Sequence, residues 1–301
     1  MKRILTILSA ALVLCSCAAQ QGPIETIIIT GQNNHNWPVS NVVLKQILEN
    51  SGMFKVDVAT SPAEGGDMES FNVDFSPYKL VVLDYNGDSW NDSMNNAFLE
   101  YVQNGGGVVV YHAADNAFTD WEEFNKIIAL GGWGGRDKSS GPYSYWQDGA
   151  LIKDFESDGP GGSHGMQHEY IMNCRNAEHP VVKGLPLKWK HAQDELYDQM
   201  RGPANIKDLL YTAWSPKEKN GSGREEPLVF TVDYGKARIF HIMTGHAGPT
   251  PEDNPAMQCT GFQTLLLRGS EWCATGKVTQ EVPADFPTEE KVSMRPNYRY
   301  E

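Results

Sequence analysis

The chain is poor in cysteine, in basic charge and in long apolar runs, and each shortage removes a class of protein. Five cysteines in 301 residues are too few for a disulfide framework, and their spacings match no zinc knuckle or ribbon. Cys15 and Cys17 stand near the N-terminus, which leaves Cys174, Cys259 and Cys273. Three cannot all pair internally. Cys259 and Cys273 would be able to pair in an oxidising compartment, but buried free thiols are the expectation. Basic residues number 25 against 38 acidic ones, a formal net charge of −13. No basic cluster offers a footprint for phosphates, so nucleic acid is not an expected partner. Past the N-terminus no stretch approaches the roughly 18 apolar residues of a membrane span. Nor does any pair of carboxylates stand out as a glycosidase couple.

What the N-terminus does have is the pattern expected of a leader. Lys2 and Arg3 precede an apolar run from Ile4 to Leu14, too short to span a bilayer as an ordinary helix and suited to a signal peptide. It ends in Leu14-Cys15-Ser16-Cys17, which resembles the bacterial lipobox. The expectation is a signal peptide over 1–16, lipidation at Cys17, and a linker over 17–23. The mature chain is then a domain held at the cell envelope by a lipid alone. Ala18 and the absence of an acidic run after it favour the outer membrane, facing the periplasm.

From Ile24 onward, strand-like runs alternate with amphipathic stretches. Ile24 to Thr30, Phe54 to Thr60 and Lys79 to Tyr85 read as strands. A helix with Ser40 as N-cap and Gly52 as stop lies between the first two, and another covers Asn91 to Asn104. Glu169 to Cys174 and Leu209 to Trp214 read as further strands, and Leu228 to Met243 as a hairpin around Gly235-Lys236. A closing helix runs from Ala256 to Cys273, and the Pro-rich, charged residues 281–301 read as a surface-hugging or disordered tail. The alternation predicts a mostly parallel sheet with helices on both faces, one domain over 24–280.

The segment Gly105 to Asp115, Gly-Gly-Gly-Val-Val-Val-Tyr-His-Ala-Ala-Asp, reads as a turn, a buried strand, and a histidine delivered to its carboxyl end. In open α/β sheets ligands bind at that edge. His112 is followed by Ala113 and Ala114, which leave room for approach. Residues 131–165 are glycine-rich and aromatic, with Trp133, Tyr143, Tyr145, Trp146 and Arg136. They read as a long loop inserted in the domain. Its flat rings beside a planar guanidinium suit a sugar.

Several of these stretches together resemble the ThuA-like (trehalose utilisation) family: the glycine triplet with Tyr111-His112-Ala113-Ala114, Glu178 to Pro186, Asp194-Glu195-Leu196-Tyr197, Glu226 to Arg238, and Gly245-His246. Their order covers nearly all of 24–277. The resemblance implies a class I glutamine amidotransferase-like fold, a flavodoxin-like three-layer α/β sandwich. In amidotransferases a cysteine nucleophile sits at the sharp turn after the strand that follows the glycines. His112 occupies that region here, so amidotransferase chemistry is expected to be absent. The family's link to disaccharide catabolism, and its occurrence beside oxidoreductases that make 3-keto sugars, imply a 3-keto-glycoside or related sugar as substrate.

A carbonyl at C3 acidifies the hydrogen at C2, so a histidine base is able to start elimination, isomerisation or overall hydrolysis. His112, His168 and Glu195 are the expected catalytic groups, and the same three residues allow a divalent cation. His35, Trp37, Asp115 and Trp133 are expected against the sugar, as are Arg136, His164, Asp194 and His246. Glycines beside His164 argue against a helical His164–His168 metal pair. Asp194 and Glu195 equally suit holding the aromatic loop through Arg136. His179 and His241 read as structural. The main alternative is a non-catalytic sugar-binding lipoprotein; a scaffolding lipoprotein is disfavoured by the concentration of polar and aromatic residues where a ligand would sit.

Overall fold

The structure, a computed structural model, describes residues 22–248 and 254–296. The expected leader and Cys17 lie outside the described residues. No helix among those described is long and apolar enough to cross a membrane.

The isoleucine-rich β1 (Ile24–Thr30) is nearly all buried. Helix α1 (Trp37–Asn50) begins one turn earlier than the sequence reading. Pro38 fits the first turn, where its missing N–H is no loss. Ser40 is therefore no cap: it lies inside the helix and its Oγ donates to Asp84 Oδ2 at 2.7 Å. Strand β2 (Phe54–Thr60) and then β3 (Leu80–Leu83) pair in parallel with the two edges of β1. Helix α2 (Asp92–Gln103) is capped by Asn91, whose side chain accepts from Met94 N at 2.9 Å. The glycine triplet leads into β4 (Gly107–Tyr111), fully buried and parallel to β3. A short 3-10 turn over His112–Asn116 and helix α3 (Glu122–Ile128) follow.

Residues 131–165 are not an aperiodic loop. They contain a hairpin of β5 (Tyr143–Gln147) and β6 (Ala150–Asp154). Asp148 and Gly149, both at positive φ, make the turn that Asp-Gly favours. Two-residue β7 (Ser163–His164) comes next. Strands β8 (His168–Cys174) and β9 (Lys188–Asp194) are antiparallel neighbours, and β10 (Tyr197–Asp198) returns to pair with β7. Strand β11 (Asp208–Trp214) precedes the hairpin of β12 (Glu225–Tyr234) and β13 (Ala237–Ile242). Helices α4 (Pro255–Gln258) and α5 (Thr260–Thr275) close the domain.

The main sheet runs β2-β1-β3-β4-β13-β12-β11-β8-β9. From β2 to β13 every pairing is parallel; beyond β13 the sheet continues antiparallel. Neighbouring residues on β13 show that both faces are covered, because successive side chains point to opposite sides. A Cβ at Gly269 of α5 would sit 2.3 Å from the Phe240 ring. His241, the next residue, reaches the Ile128 carbonyl at the end of α3. Helices α1 and α5 thus cover one face and α3 the other, the three-layer arrangement expected. Cys174, Cys259 and Cys273 are free. After α5 the tail runs along the surface: Phe286 packs edge-on against Trp189, and the Ser293 carbonyl accepts from Thr260 N.

Candidate active site

Four chain segments leave the sheet at the carboxyl ends of its parallel strands or beside them. His35 follows β1, His112 follows β4, and His246 follows β13; Glu195 follows the edge strand β9. The crevice outside these strand ends is where an open α/β sheet binds ligands. The four side chains meet there. His35 Nε2 and His246 Nδ1 each lie 3.2 Å from Glu195 Oε2, and His112 Nε2 lies 3.6 Å from it. One ligand atom from each residue falls within 4.8 Å of the others.

Each segment is held from behind. His112 turns out of β4 with φ of 43°, a conformation kept only where the surroundings enforce it, and its Nδ1 lies 2.6 Å from the Met243 carbonyl. His35 hangs on a chain of bonds. Its N–H donates to Asn33 Oδ1 at 2.9 Å, Asn33 Nδ2 donates to Asp84 Oδ1 at 3.2 Å, and Ser40 and Thr30 hydroxyls donate to the same carboxyl. Burial pushes Asp84 up to about 7. His246 is aimed through its backbone by Asp194, which also caps Gly245 N and Glu195 N.

Burial would raise the Glu195 carboxyl, but the close approach of His112, His246 and His35 outweighs it and holds the group far below the usual carboxylate range. Burial pulls His35 down to about 4 against Glu195, with His112 and His246 pushing the same way. For His112 burial is outweighed by Glu195 and Asp194, and its pKa rises. The cluster thus keeps an ionised Glu195 beside a neutral His35.

Above the cluster opens a cleft of about 490 Å³, walled by Trp133, Tyr197, His164 and the amides of Asn34, Asn36 and Asn116. Tyr197 stacks on His112 at 4.4 Å between ring centroids and meets Trp133 edge-on at 4.8 Å. His164 stands at the mouth, its side chain 37% exposed, with Nε2 3.7 Å from Glu195 Oε1. Tyr197 and the asparagines are not among the residues the sequence pointed to. Their signal was adjacency: Tyr197 closes the motif that begins at Asp194, and Asn34 and Asn36 flank His35.

Five expected site residues lie elsewhere or do other work. His168 is outside the cluster: its Nδ1 is 2.8 Å from the Met166 carbonyl and its ring packs against Tyr170, beside an irregularity in the β8–β9 pairing. It is His35 and His246, not His168, that stand beside His112 and Glu195. Arg136 is buried and spends its donors on the carbonyls of Asn116, Ala117 and Gly132 and on Asn125 Oδ1. It pins the loop, not a ligand, and takes no bond from Asp194 or Glu195. Asp115 is buried against His241 Nε2 at 3.2 Å, which accounts for both residues structurally. Asp194 is saturated by His191 and by backbone N–H groups, leaving no lone pair for a sugar. Trp37 opens α1 and lines a neighbouring recess with Asn86 and Asp88. His179 packs against Trp272, away from the cleft.

No curated protein matches the chain. A ThuA-like protein from Parabacteroides merdae, known from its crystal structure, is 73% identical over 92% of this chain and 99% of its own, with a TM-score of 0.91. A second, from Bacteroides uniformis, is 20% identical over 86% of this chain and 94% of its own, with a TM-score of 0.54, and shares the fold. The model of one family, ThuA (trehalose utilisation), matches residues 26–273, and the chain belongs to that family.

Proposed function

We propose that the cleft is the active site of an enzyme that processes a small sugar, with a 3-keto-glycoside as the substrate class. The observation that carries this reading is the union, in one cleft, of an imidazole–carboxylate cluster at the foot with aromatic faces and amides on the walls. Trp133 and Tyr197 offer flat apolar surfaces for a ring, and Asn34 and Asn116 bring polar groups to the wall for hydroxyls. The family's trehalose-utilisation description supports a carbohydrate-related role.

His112 is too deep to meet a sugar, so the base is His164 at the mouth. Its imidazole takes the proton from C2 of the 3-keto sugar, and the electron pair of that bond forms an enolate with the C3 carbonyl. Hydrogen-bond donors around the cleft stabilise the enolate oxygen. The enolate then collapses to a C1–C2 double bond, the C1–O bond breaks, and the departing alkoxide takes the proton that His164 had accepted and leaves as an alcohol. Addition of water to the enone completes a net hydrolysis.

The test is to incubate the purified protein with 3-keto-glucosides and their parent glycosides, with and without divalent metal ions, and follow C2–H exchange and alcohol release by NMR. Turnover of keto substrates alone is expected, with His164→Gln lowering kcat at least 100-fold while substrate affinity stays within a few-fold. A protein that binds these sugars and changes none of them is instead a sugar-binding lipoprotein. The envelope location belongs to the same proposal: Cys17→Ser is expected to move the folded protein from the membrane to the soluble fraction.

A further inference from the structure

We propose that His35 Nε2, His112 Nε2, His246 Nδ1 and Glu195 Oε2 bind one divalent transition-metal ion of the zinc, manganese or iron(II) type, leaving a coordination position open toward the cleft. Three imidazole nitrogens and one carboxylate oxygen suit these borderline ions, whereas magnesium and calcium take oxygen donors. Metal–ligand bonds of about 2.0–2.2 Å to nitrogen and oxygen place the donors of one ion roughly 3–4 Å apart. The distances of 3.2 to 3.6 Å to Glu195 Oε2 are of that size.

Two further features separate this cluster from an ordinary hydrogen-bonded network. His112 is 1% exposed and its Nε2 has no hydrogen-bond partner, although it points into the cluster. A buried ring nitrogen left this way is costly unless something other than a protein donor satisfies it. His246 Nδ1 is likewise close to Glu195 but not aligned for a hydrogen bond with it. Of the three imidazole nitrogens only His35 Nε2 hydrogen-bonds Glu195; the other two face the same carboxylate oxygen unpaired.

The surrounding groups also act as supports. The Met243 carbonyl accepts from His112 Nδ1–H, which fixes the proton on Nδ1 and leaves Nε2 with its lone pair free, the arrangement that metal-ligating histidines show. Asp194 fixes the backbone that carries His246. Glu195 turns its second oxygen toward His164 and the cleft, where a substrate carbonyl or water would complete the sphere. An ion here would supply positive charge next to the enolate of the sugar reading. The inference deepens that reading, yet ion binding is measured without any sugar, so either can fail alone.

The experiment uses the purified full chain, stripped with a chelator and then titrated with Zn²⁺ or Mn²⁺ by calorimetry and with Co²⁺ by visible absorption. Expected are one ion per chain, a Co²⁺ d–d band, and a Zn²⁺-dependent rise in melting temperature, with no such response to Mg²⁺. Glu195→Gln and His35→Gln are each expected to weaken binding at least 100-fold, while circular dichroism in chelator matches the wild type. His168→Gln is expected to bind like the wild type. If one of the two ligand variants fails to fold, the other decides. A folded wild-type chain that binds no ion stoichiometrically, or ion binding that survives both ligand substitutions, overturns the site.

Discussion

The carboxylate of Asp194 grips the backbone of His246: Oδ1 accepts its N–H at 3.0 Å, while Oδ2 accepts that of Gly245 at 2.7 Å. The same carboxylate accepts from Glu195 N and pairs with His191 Nε2 at 2.8 Å. One buried group therefore sets the position of two cluster residues from behind. Burial acts to raise its pKa, but His191 and the backbone N–H groups prevail and keep it a carboxylate.

Asp194→Asn keeps the size and removes the charge. One amide oxygen then faces donors that two carboxylate oxygens had shared, and His191 loses its anion. Loss of one partner of a buried pair typically costs about 3–5 kcal/mol, so denaturant unfolding is expected to show a loss of that order. Ion affinity is expected to fall about 10–100-fold, the usual effect of removing an outer-shell support. Lower stability with unaltered ion affinity would reduce Asp194 to a structural residue.

Trp133 and Arg136 are three residues apart and are expected to fail differently. Trp133 is half-buried, lines the cleft and meets Tyr197 edge-on, so Trp133→Ala is expected to weaken sugar binding by about 1–2 kcal/mol with a stability loss of similar size. Arg136 carries no ligand surface. Arg136→Met strands several buried carbonyls at about 1–3 kcal/mol each before relaxation. A melting-temperature drop clearly larger than that of Trp133→Ala is expected. Measuring melting and sugar affinity on both variants separates the two roles.

Glu226 makes stability depend on pH. Its carboxyl is buried and accepts from the Ser222 hydroxyl at 2.6 Å. Burial pushes it up to about 8, against the pull of Ser222 and with help from Asp198. Between the unfolded value near 4.5 and the folded value near 8, the native state holds a proton that the unfolded chain has released. Stability from this group is thus full below pH 4.5, falls as pH rises toward 8, and is level above. Glu226→Gln removes that slope. Relative to wild type, the variant is expected to gain on the order of 2–5 kcal/mol between pH 5 and pH 8.5, read from urea unfolding across the range. Parallel curves for the two proteins would show that Glu226 does not stay protonated.

Much of the fold was legible because its strands carry strong local patterns. Ile24–Thr30 and Phe54–Thr60 are the observed strands with the same ends, since continuous or alternating apolar residues bounded by glycine or proline leave few other readings. The start of α1 was misread because two signals compete there, a serine suited to a cap and a proline suited to the first turn, and the proline prevailed. The β5–β6 hairpin was hidden by the glycines around it, though Asp148-Gly149 marks its turn. Arg136 illustrates a limit of another kind: a planar donor fork looks the same in sequence whether it meets a ligand or, as here, the carbonyls of its own loop.

The sequence by itself determined where the strands end, and so that His35, His112 and His246 stand just beyond them. It also carried the family, through motifs spread in order over the chain. Only the tertiary structure decided that these three histidines meet Glu195 and that His168 does not. Periodicity reports which face of an element is buried and is silent on which elements become neighbours. The return of β13 to lie parallel beside β4 brings residues 112 and 246 together, and the placement of Glu195 beyond the edge strand β9 closes the cluster. Both depend on pairings between distant parts of the chain, settled by packing in three dimensions rather than by any local pattern.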